Sequence, residues 1–234
     1  MKKLLFAFAV SLICIPSLAS ARSVKMISSS EDPLSLSVEY EYTTGSYEGV
    51  TGSTDQDTGL DQRLGLVRLS LKPGYRVQFY GTAGTSSNTF GDTDTEDGTV
   101  IGGGVQFLLE KNDNLGAKLV GSYLQHESLQ LEGTNRELEV VGDWQAGLVM
   151  NRTVNDSYSE GNPRLYDAFF GVLYSGREIE ETGGGTVRTY EPSNNPGLSA
   201  AAGFNVNYTP ALDLEISAEL GAMSSASLHA TYAF

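Results

Sequence analysis

From Leu34 to the carboxy terminus the chain alternates apolar and polar residues, and that period of two marks a strand with unlike faces. Leu34, Leu36, Val38, Tyr40 and Tyr42 are separated by Ser35, Ser37, Glu39 and Glu41. Tyr75, Val77, Phe79 and Ala83 oppose Arg76, Gln78, Tyr80 and Thr82, and two further apolar faces run Ile101, Val105, Phe107, Leu109 and Leu115, Ala117, Leu119, Tyr123. Leu138, Val140, Trp144, Ala146 and Leu148 oppose Glu139, Val141, Asp143 and Gln145. Toward the end, Ala200 to Tyr208, Leu212 to Leu220 and Leu228 to Phe234 repeat the pattern, with Glu215, Glu219, His229 and Thr231 among the polar positions.

Two segments depart from clean alternation. Between residues 60 and 72 the apolar phase slips from Leu64 and Leu66 to Val67, Leu69 and Leu71, which predicts a β-bulge near Leu66. Between 164 and 175 both phases are apolar, and Asp167 alone argues for turning Tyr166, Phe170, Val172 and Tyr174 outward. Counting both, the pattern predicts ten strands, eight being the next alternative, most of them 10 to 13 residues long. A soluble strand usually has roughly 5 or 6 residues, whereas roughly 9 to 11 tilted residues cross a bilayer.

The connections alternate in length. Lys72-Pro73-Gly74, Lys111 to Asn114 and Thr209-Pro210 read as tight turns, and residues 45–59, 84–98, 125–137 and 176–196 as long polar loops. Outer-membrane barrels carry short turns on the periplasmic side and long loops outside. The connection 151–163 is longer than that rule expects, and the hairpin around Met223 is shorter.

The first residues read as an export signal. Lys2 and Lys3 precede an apolar stretch from Leu4 to Ile15, and Ala19 and Ala21 frame the small-x-small cleavage pattern, so residues 1–21 are expected to be removed and 22–234 to form the barrel. The apolar stretch is too short to span a hydrocarbon core as a helix. The one cysteine, Cys14, falls inside this segment, so the processed chain has no thiol for a disulfide or a thiolate metal site. Losing the two lysines takes the formal net charge from −14 to −16. Such an acidic balance argues against a nucleic-acid partner, which is held by clustered Lys and Arg.

A soluble acidic periplasmic barrel or sandwich is the alternative. Its polar face would meet bulk water and carry many long charged side chains, whereas here that face holds Ser, Thr, Asn, Gly and acids, with Lys118 its clearest lysine. Tyr75, Phe107, Tyr166, Tyr208, Tyr232 and Phe234 fall at one set of strand ends and Tyr42, Tyr123 and Tyr174 near the other. Two aromatic belts are expected where rings sit among lipid headgroups.

The signal, the even set of amphipathic strands and the closing run Leu228-His229-Ala230-Thr231-Tyr232-Ala233-Phe234 resemble the small Gram-negative outer-membrane β-barrels, the broad group of opacity-type and OmpA-like porin-family proteins. The resemblance implies Sec-type export, insertion in the cell outer membrane and contact with its lipids and lipopolysaccharide. It also implies that Tyr232 and Phe234 form the signal read by the barrel assembly machinery.

Candidate chemistry is sparse. His126 and Ser128 form a His-x-Ser at a strand's outer end with Glu132, Glu137 and Glu139 nearby, the elements of an activated nucleophile. The pair is similar to the His-x-Ser of outer-membrane lipid A deacylases, although Leu129 stands where that family has Asn. Asp92, Asp94, Glu96 and Asp97 could offer oxygens to small cations, but the segment lacks the Gly and Glu positions of an EF-hand loop. No cofactor is implied. Glu39, Glu41, Glu139, Asp143, Glu215 and Glu219 are expected to point into the barrel, with Arg63, Arg76 and Lys118 as partners. The sequence therefore predicts an all-β, antiparallel transmembrane barrel that is either a narrow porin-like channel or a surface and structural protein, with lipid A modification through His126 as the enzymatic alternative.

Overall fold

The computed structural model describes residues 33–51, 58–111, 115–156, 164–193, 196–209, 211–221 and 224–234. The expected signal, with Ala19 and Ala21, lies outside the described residues. The strands are β1 (Leu34–Thr51), β2 (Thr58–Gly74), β3 (Val77–Phe90), β4 (Thr93–Asp94), β5 (Gly98–Lys111), β6 (Leu115–His126), β7 (Leu129–Gln130), β8 (Glu137–Asp156), β9 (Arg164–Gly183), β10 (Thr186–Pro192), β11 (Gly197–Thr209), β12 (Leu212–Gly221) and β13 (Ser224–Ala233). Ten of them, all but the short β4, β7 and β10, pair antiparallel around a closed ring in which β13 meets β1 and β8 meets β9. Closure leaves this ring without an unpaired sheet edge.

At the end that carries the long connections the ring is rebuilt with different members. β5, β6, β11, β12 and β13 stop short of it, at Gly98, His126, Gly197, Gly221 and Ser224. β10 fills the space above the last three by pairing with β9 on one side and with Tyr47–Thr51 of β1 on the other. Similarly, β4 pairs with β3 and β7 with β8, and a bridge between Thr95 and Leu131 joins the two hairpins. Two backbone hydrogen bonds flank that bridge, Glu96 N to Gln130 O at 3.1 Å and Glu132 N to Asp94 O at 2.9 Å. An eight-membered cap of β1, β2, β3, β4, β7, β8, β9 and β10 thus stands on the ten-stranded barrel. The segments expected as loops are largely folded into it.

Both storeys bury the inward face of β1 and β2, but its chemistry is opposite in the two. In the lower barrel Leu36, Leu69, Phe79, Leu148, Phe170 and Phe204 point outward and are exposed, while Glu39, Arg68, Asn205 and Glu215 are buried within. In the cap the order reverses: Tyr47, Leu60, Phe90, Leu131, Leu138, Ile179 and Tyr190 form a buried apolar cluster, while Glu48, Glu137 and Glu139 face out. Burial of each large side chain in that cluster contributes about 1.5–3 kcal/mol, so the cap has a core of the kind that holds a water-soluble domain together.

One turn of chain chemistry shifts the phase of β8. Its pairing with β9 slips between Val141 and Trp144, and Gly142 takes φ +64° there, a left-handed value that glycine adopts without steric cost. Leu138 and Val140 consequently face inward, Glu139 outward, and beyond the bulge Asp143 and Gln145 face inward again. Glu139 is therefore not a lumen charge, contrary to expectation. The bulge expected near Leu66 is absent, since β1 and β2 stay in register from Leu34 opposite Leu71 to Tyr47 opposite Thr58. Leu64 and Leu66 turn inward onto Val100 and Leu124. The same phase sends Arg63 outward and brings Arg68 into the lumen. Arg76 is also outside, because it sits in the turn before β3 begins, its guanidinium 5.2 Å from the Tyr75 ring centroid.

Candidate functional site

The barrel interior gathers most of the buried polar groups. Glu39, Glu41, Lys118, Asp143, Glu215 and Glu219 are where the alternation placed them, in the lumen, and Asp167, Asp213, Arg68, Arg177, His126 and His229 join them. Charges taken from water need partners to offset the loss of hydration. Arg68 Nη2 donates to Glu39 Oε2 at 2.8 Å, and its guanidinium carbon lies 4.3 Å from the Tyr80 ring centroid. Tyr80 fits because its neighbour on β5 is Gly104, where a Cβ would come within 2.4 Å of the phenol ring. His229, on β13 opposite Glu39, has Nε2 3.0 Å from Ser227 Oγ and 3.6 Å from Glu39 Oε1. Farther round, Gln145 Nε2 donates to Glu219 Oε2 at 2.9 Å.

A second cluster lies below the cap. Asp143 Oδ2 accepts a hydrogen bond from Arg177 Nη2 at 2.9 Å and is 2.9 Å from His126 Nε2. All three side chains are fully buried. The β8 bulge sets this arrangement, for it turns Asp143 inward beside β9, where Arg177 shares the inward phase of Asp167 and Leu173.

This geometry separates the two residues of the His-x-Ser. His126 ends β6 inside the barrel with a carboxylate partner, whereas Ser128 is exposed beyond the strand. Because the strand stops at His126, the two do not share a face, and Glu132, Glu137 and Glu139 all point to solvent. Asp92, Asp94, Glu96 and Asp97 are exposed around β4, with Asp94 Oδ1 accepting from Thr89 Oγ1 at 2.6 Å. Among the described residues no three His, Cys, Asp or Glu converge in a geometry that could hold a metal ion.

At the rim of the cap, Glu181 accepts from Tyr190 OH at 2.9 Å and pairs with Arg136. Burial, reinforced by that carboxylate, pushes the Tyr190 phenol above its ordinary value. At the opposite end of the molecule the Tyr232 and Phe234 rings point outward, edge to face with centroids 5.1 Å apart. Phe234 N donates to Leu34 O at 3.2 Å, which ties the last residue to the first strand.

Arg68, Arg177 and the apolar cap are the features that sequence reasoning missed, while His229 was placed on the polar face but not counted among the lumen charges. Arg68 shares the phase of Gln62, Leu64 and Leu66 in an unbroken strand, but apolar residues in both phases left that choice open in the sequence. Arg177 was readable by carrying the phase of Asp167 past residue 175.

No protein-family model matches the sequence, and no curated protein matches it. Among solved structures the chain is similar to the outer membrane protease OmpT from Escherichia coli, at TM-score 0.46 and 8% identity over 91% of this chain and 100% of that one. It is also similar to an outer membrane channel from Pseudomonas putida F1, at TM-score 0.45 and 12% identity over 91% and 100%. A third likeness is to the translocator domain of the autotransporter NalP from Neisseria meningitidis, at TM-score 0.44 and 12% identity over 88% and 90%. With all three scores below 0.5, the barrel's own register and burial define the fold.

Proposed function

We propose that the chain is an integral outer-membrane β-barrel that is sealed, serving as a surface and structural protein of the envelope and not as an open porin-like channel. The observation that carries this reading is the reversal of burial along the strands. A water-soluble protein that exposed Leu36, Leu69, Phe79 and Phe204 while burying Glu39, Arg68 and Glu215 would lose hydrophobic stabilisation and ion hydration at once. In a bilayer the same arrangement is favourable, because lipid covers the outward belt and strand pairing satisfies the backbone. Tyr123, Trp144 and Tyr174 at the upper edge of the belt, and Tyr75, Phe107, Tyr208 and Tyr232 at its lower edge, suit the headgroup regions.

The cap supports the sealed state. Its seven clustered side chains are each no more than 6% exposed, and below them the Glu39–Arg68 and Asp143–Arg177 pairs line the inner wall while Gln145 on β8 reaches past β9 and β11 to Glu219 on β12. A cavity of about 20 Å³ beside Glu39, Glu41 and Arg68 has room for roughly one water molecule. The test is planar-bilayer recording on protein purified and refolded in detergent. Sealed bilayers with inserted protein are expected; steady ohmic conductance would overturn the sealed state. Soluble, monodisperse protein without detergent would overturn the membrane assignment.

A further inference from the structure

The register of the barrel places a row of oxygen-bearing side chains across its inner wall. Glu219 on β12 is opposite Ser225 on β13, Ser225 is opposite Thr43 on β1, Thr43 is opposite Gln62 on β2, and Gln62 is opposite Asn88 on β3. Neighbours in such a row on one face have Cβ atoms about 4.5–5.5 Å apart, close enough to share a ligand. Gln62 is fully buried and Asn88 is 3% exposed. Neither amide group makes a hydrogen bond to the protein through its side-chain oxygen or nitrogen. Buried polar groups are nearly always satisfied by protein or by ordered water, so the two adjacent amide oxygens are open to a ligand that the protein itself does not supply, while the amide N–H groups, which donate, are left to water. Glu41 adds a carboxylate to the same place, since its Oε1 accepts from Thr43 Oγ1 at 3.2 Å.

We infer that Thr43, Gln62, Asn88 and Glu41 form an internal binding site for an alkali cation. The donors are amide, hydroxyl and carboxylate oxygens, the hard set that suits a hard cation. A single carboxylate, Glu41, among neutral oxygens favours a monovalent over a divalent ion, and with Glu219 at the far end of the row it repels an anion. The charge of the lumen agrees. Among the described residues its carboxylates, Glu39, Glu41, Asp143, Asp167, Asp213, Glu215 and Glu219, outnumber Arg68, Lys118 and Arg177, with His126, His229 and Tyr80 also titratable. Even with both imidazoles protonated the acids outnumber the bases, so the net field of the lumen favours a cation over an anion. One inward position farther toward the cap, the row is Gly45, Leu60 and Phe90, so the cap's apolar cluster closes the site on that side. Asp213, Glu215 and Glu219 alternate up β12 from the opposite end and give a cation an oxygen-lined approach. The site needs only the closed barrel and would be present whether or not the barrel conducts.

The direct experiment is crystallography of the processed chain with RbCl in place of other salts. An anomalous peak among Thr43, Gln62, Asn88 and Glu41 is expected; no peak, or a peak unchanged when N-methylglucamine chloride replaces RbCl, would overturn the site. In solution, thermal unfolding is compared in KCl and in N-methylglucamine chloride at equal ionic strength. A midpoint higher in KCl by about 3–6 °C is expected once the ion is at ten times its dissociation constant. That difference should vanish in Thr43→Val and in Asn88→Leu; if Asn88→Leu does not fold, Thr43→Val carries the comparison. Equal midpoints for the native protein in the two salts would refute the inference.

Discussion

Thr95 and Leu131 meet in the bridge that closes the cap between its two shortest strands. Leu131 does two jobs there: its backbone joins the β3–β4 hairpin to the β7–β8 hairpin, and its side chain, 1% exposed, enters the cluster with Tyr47, Phe90 and Tyr190. β4 and β7 have two residues each. The seam is therefore held mainly by what lies beneath it, and the cap's weakest point should respond to its core.

Leu131→Ala removes apolar contacts from that core, and a change of this kind costs about 2–5 kcal/mol where the site cannot collapse. Hydrogen exchange should report it as faster exchange at the amides of Thr95, Glu96 and Glu132, with strands of the lower barrel unchanged. Uniform acceleration through the whole barrel would mean that cap and barrel open as one unit.

The Glu39–Arg68 pair predicts a non-additive response. Arg68→Met leaves Glu39 buried without its guanidinium and should destabilise the barrel by about 3–5 kcal/mol, while Arg68→Met combined with Glu39→Gln should cost less than the sum of the singles. Urea unfolding in detergent gives the cycle. Additive effects would show that the pair is not coupled.

Deleting Phe234 removes the outward aromatic that follows β13 and the backbone hydrogen bond it donates to Leu34 of β1. Lower outer-membrane levels and accumulation of a protease-sensitive precursor are expected. Native levels of the deletion at ordinary expression would separate assembly from this residue.

Tyr190 gives the cap a defined alkaline limit. Its folded pKa is raised by burial and by Glu181, so its contribution to stability is fully present below the unfolded value of about 10 and is lost as pH rises through the folded one. Melting temperatures measured from neutral pH upward should fall more steeply in the native protein than in Tyr190→Phe. Parallel curves would remove Tyr190 as the cause.

If the outward belt is lipid-facing, the unboiled protein should keep its hydrogen-bonded ring in sodium dodecyl sulfate and migrate differently from the boiled form. Identical migration, together with solubility in plain buffer, would argue against a membrane barrel.

Alternation along β1, β6, β12 and β13 was enough to predict these strands and the inward direction of Glu39, Lys118, Glu215 and Glu219, because a period of two is a local property of an extended chain, and ten barrel strands followed once the two mixed segments were counted as well. It did not settle Arg63 against Arg68, since Leu64, Leu66, Val67 and Leu69 are apolar in both phases and either set could face lipid. That choice was made by β3 and β5, which bring Val100 within reach of Leu64 and Leu66 and so give apolar side chains a place inside the lumen. Glu139 was lost for a related reason. A bulge at Gly142 resets which residues face inward, and its position depends on the pairing with β9. The cap was least legible of all: Tyr47, Phe90, Leu131, Ile179 and Tyr190 are scattered through segments that read as polar loops, and only closure of the outer strands brings them together with Leu60 and Leu138 as a core. Sequence alone thus determined the local geometry and the chemistry available to each face, whereas which face meets lipid, ions or another side chain depends on neighbours distant in the chain.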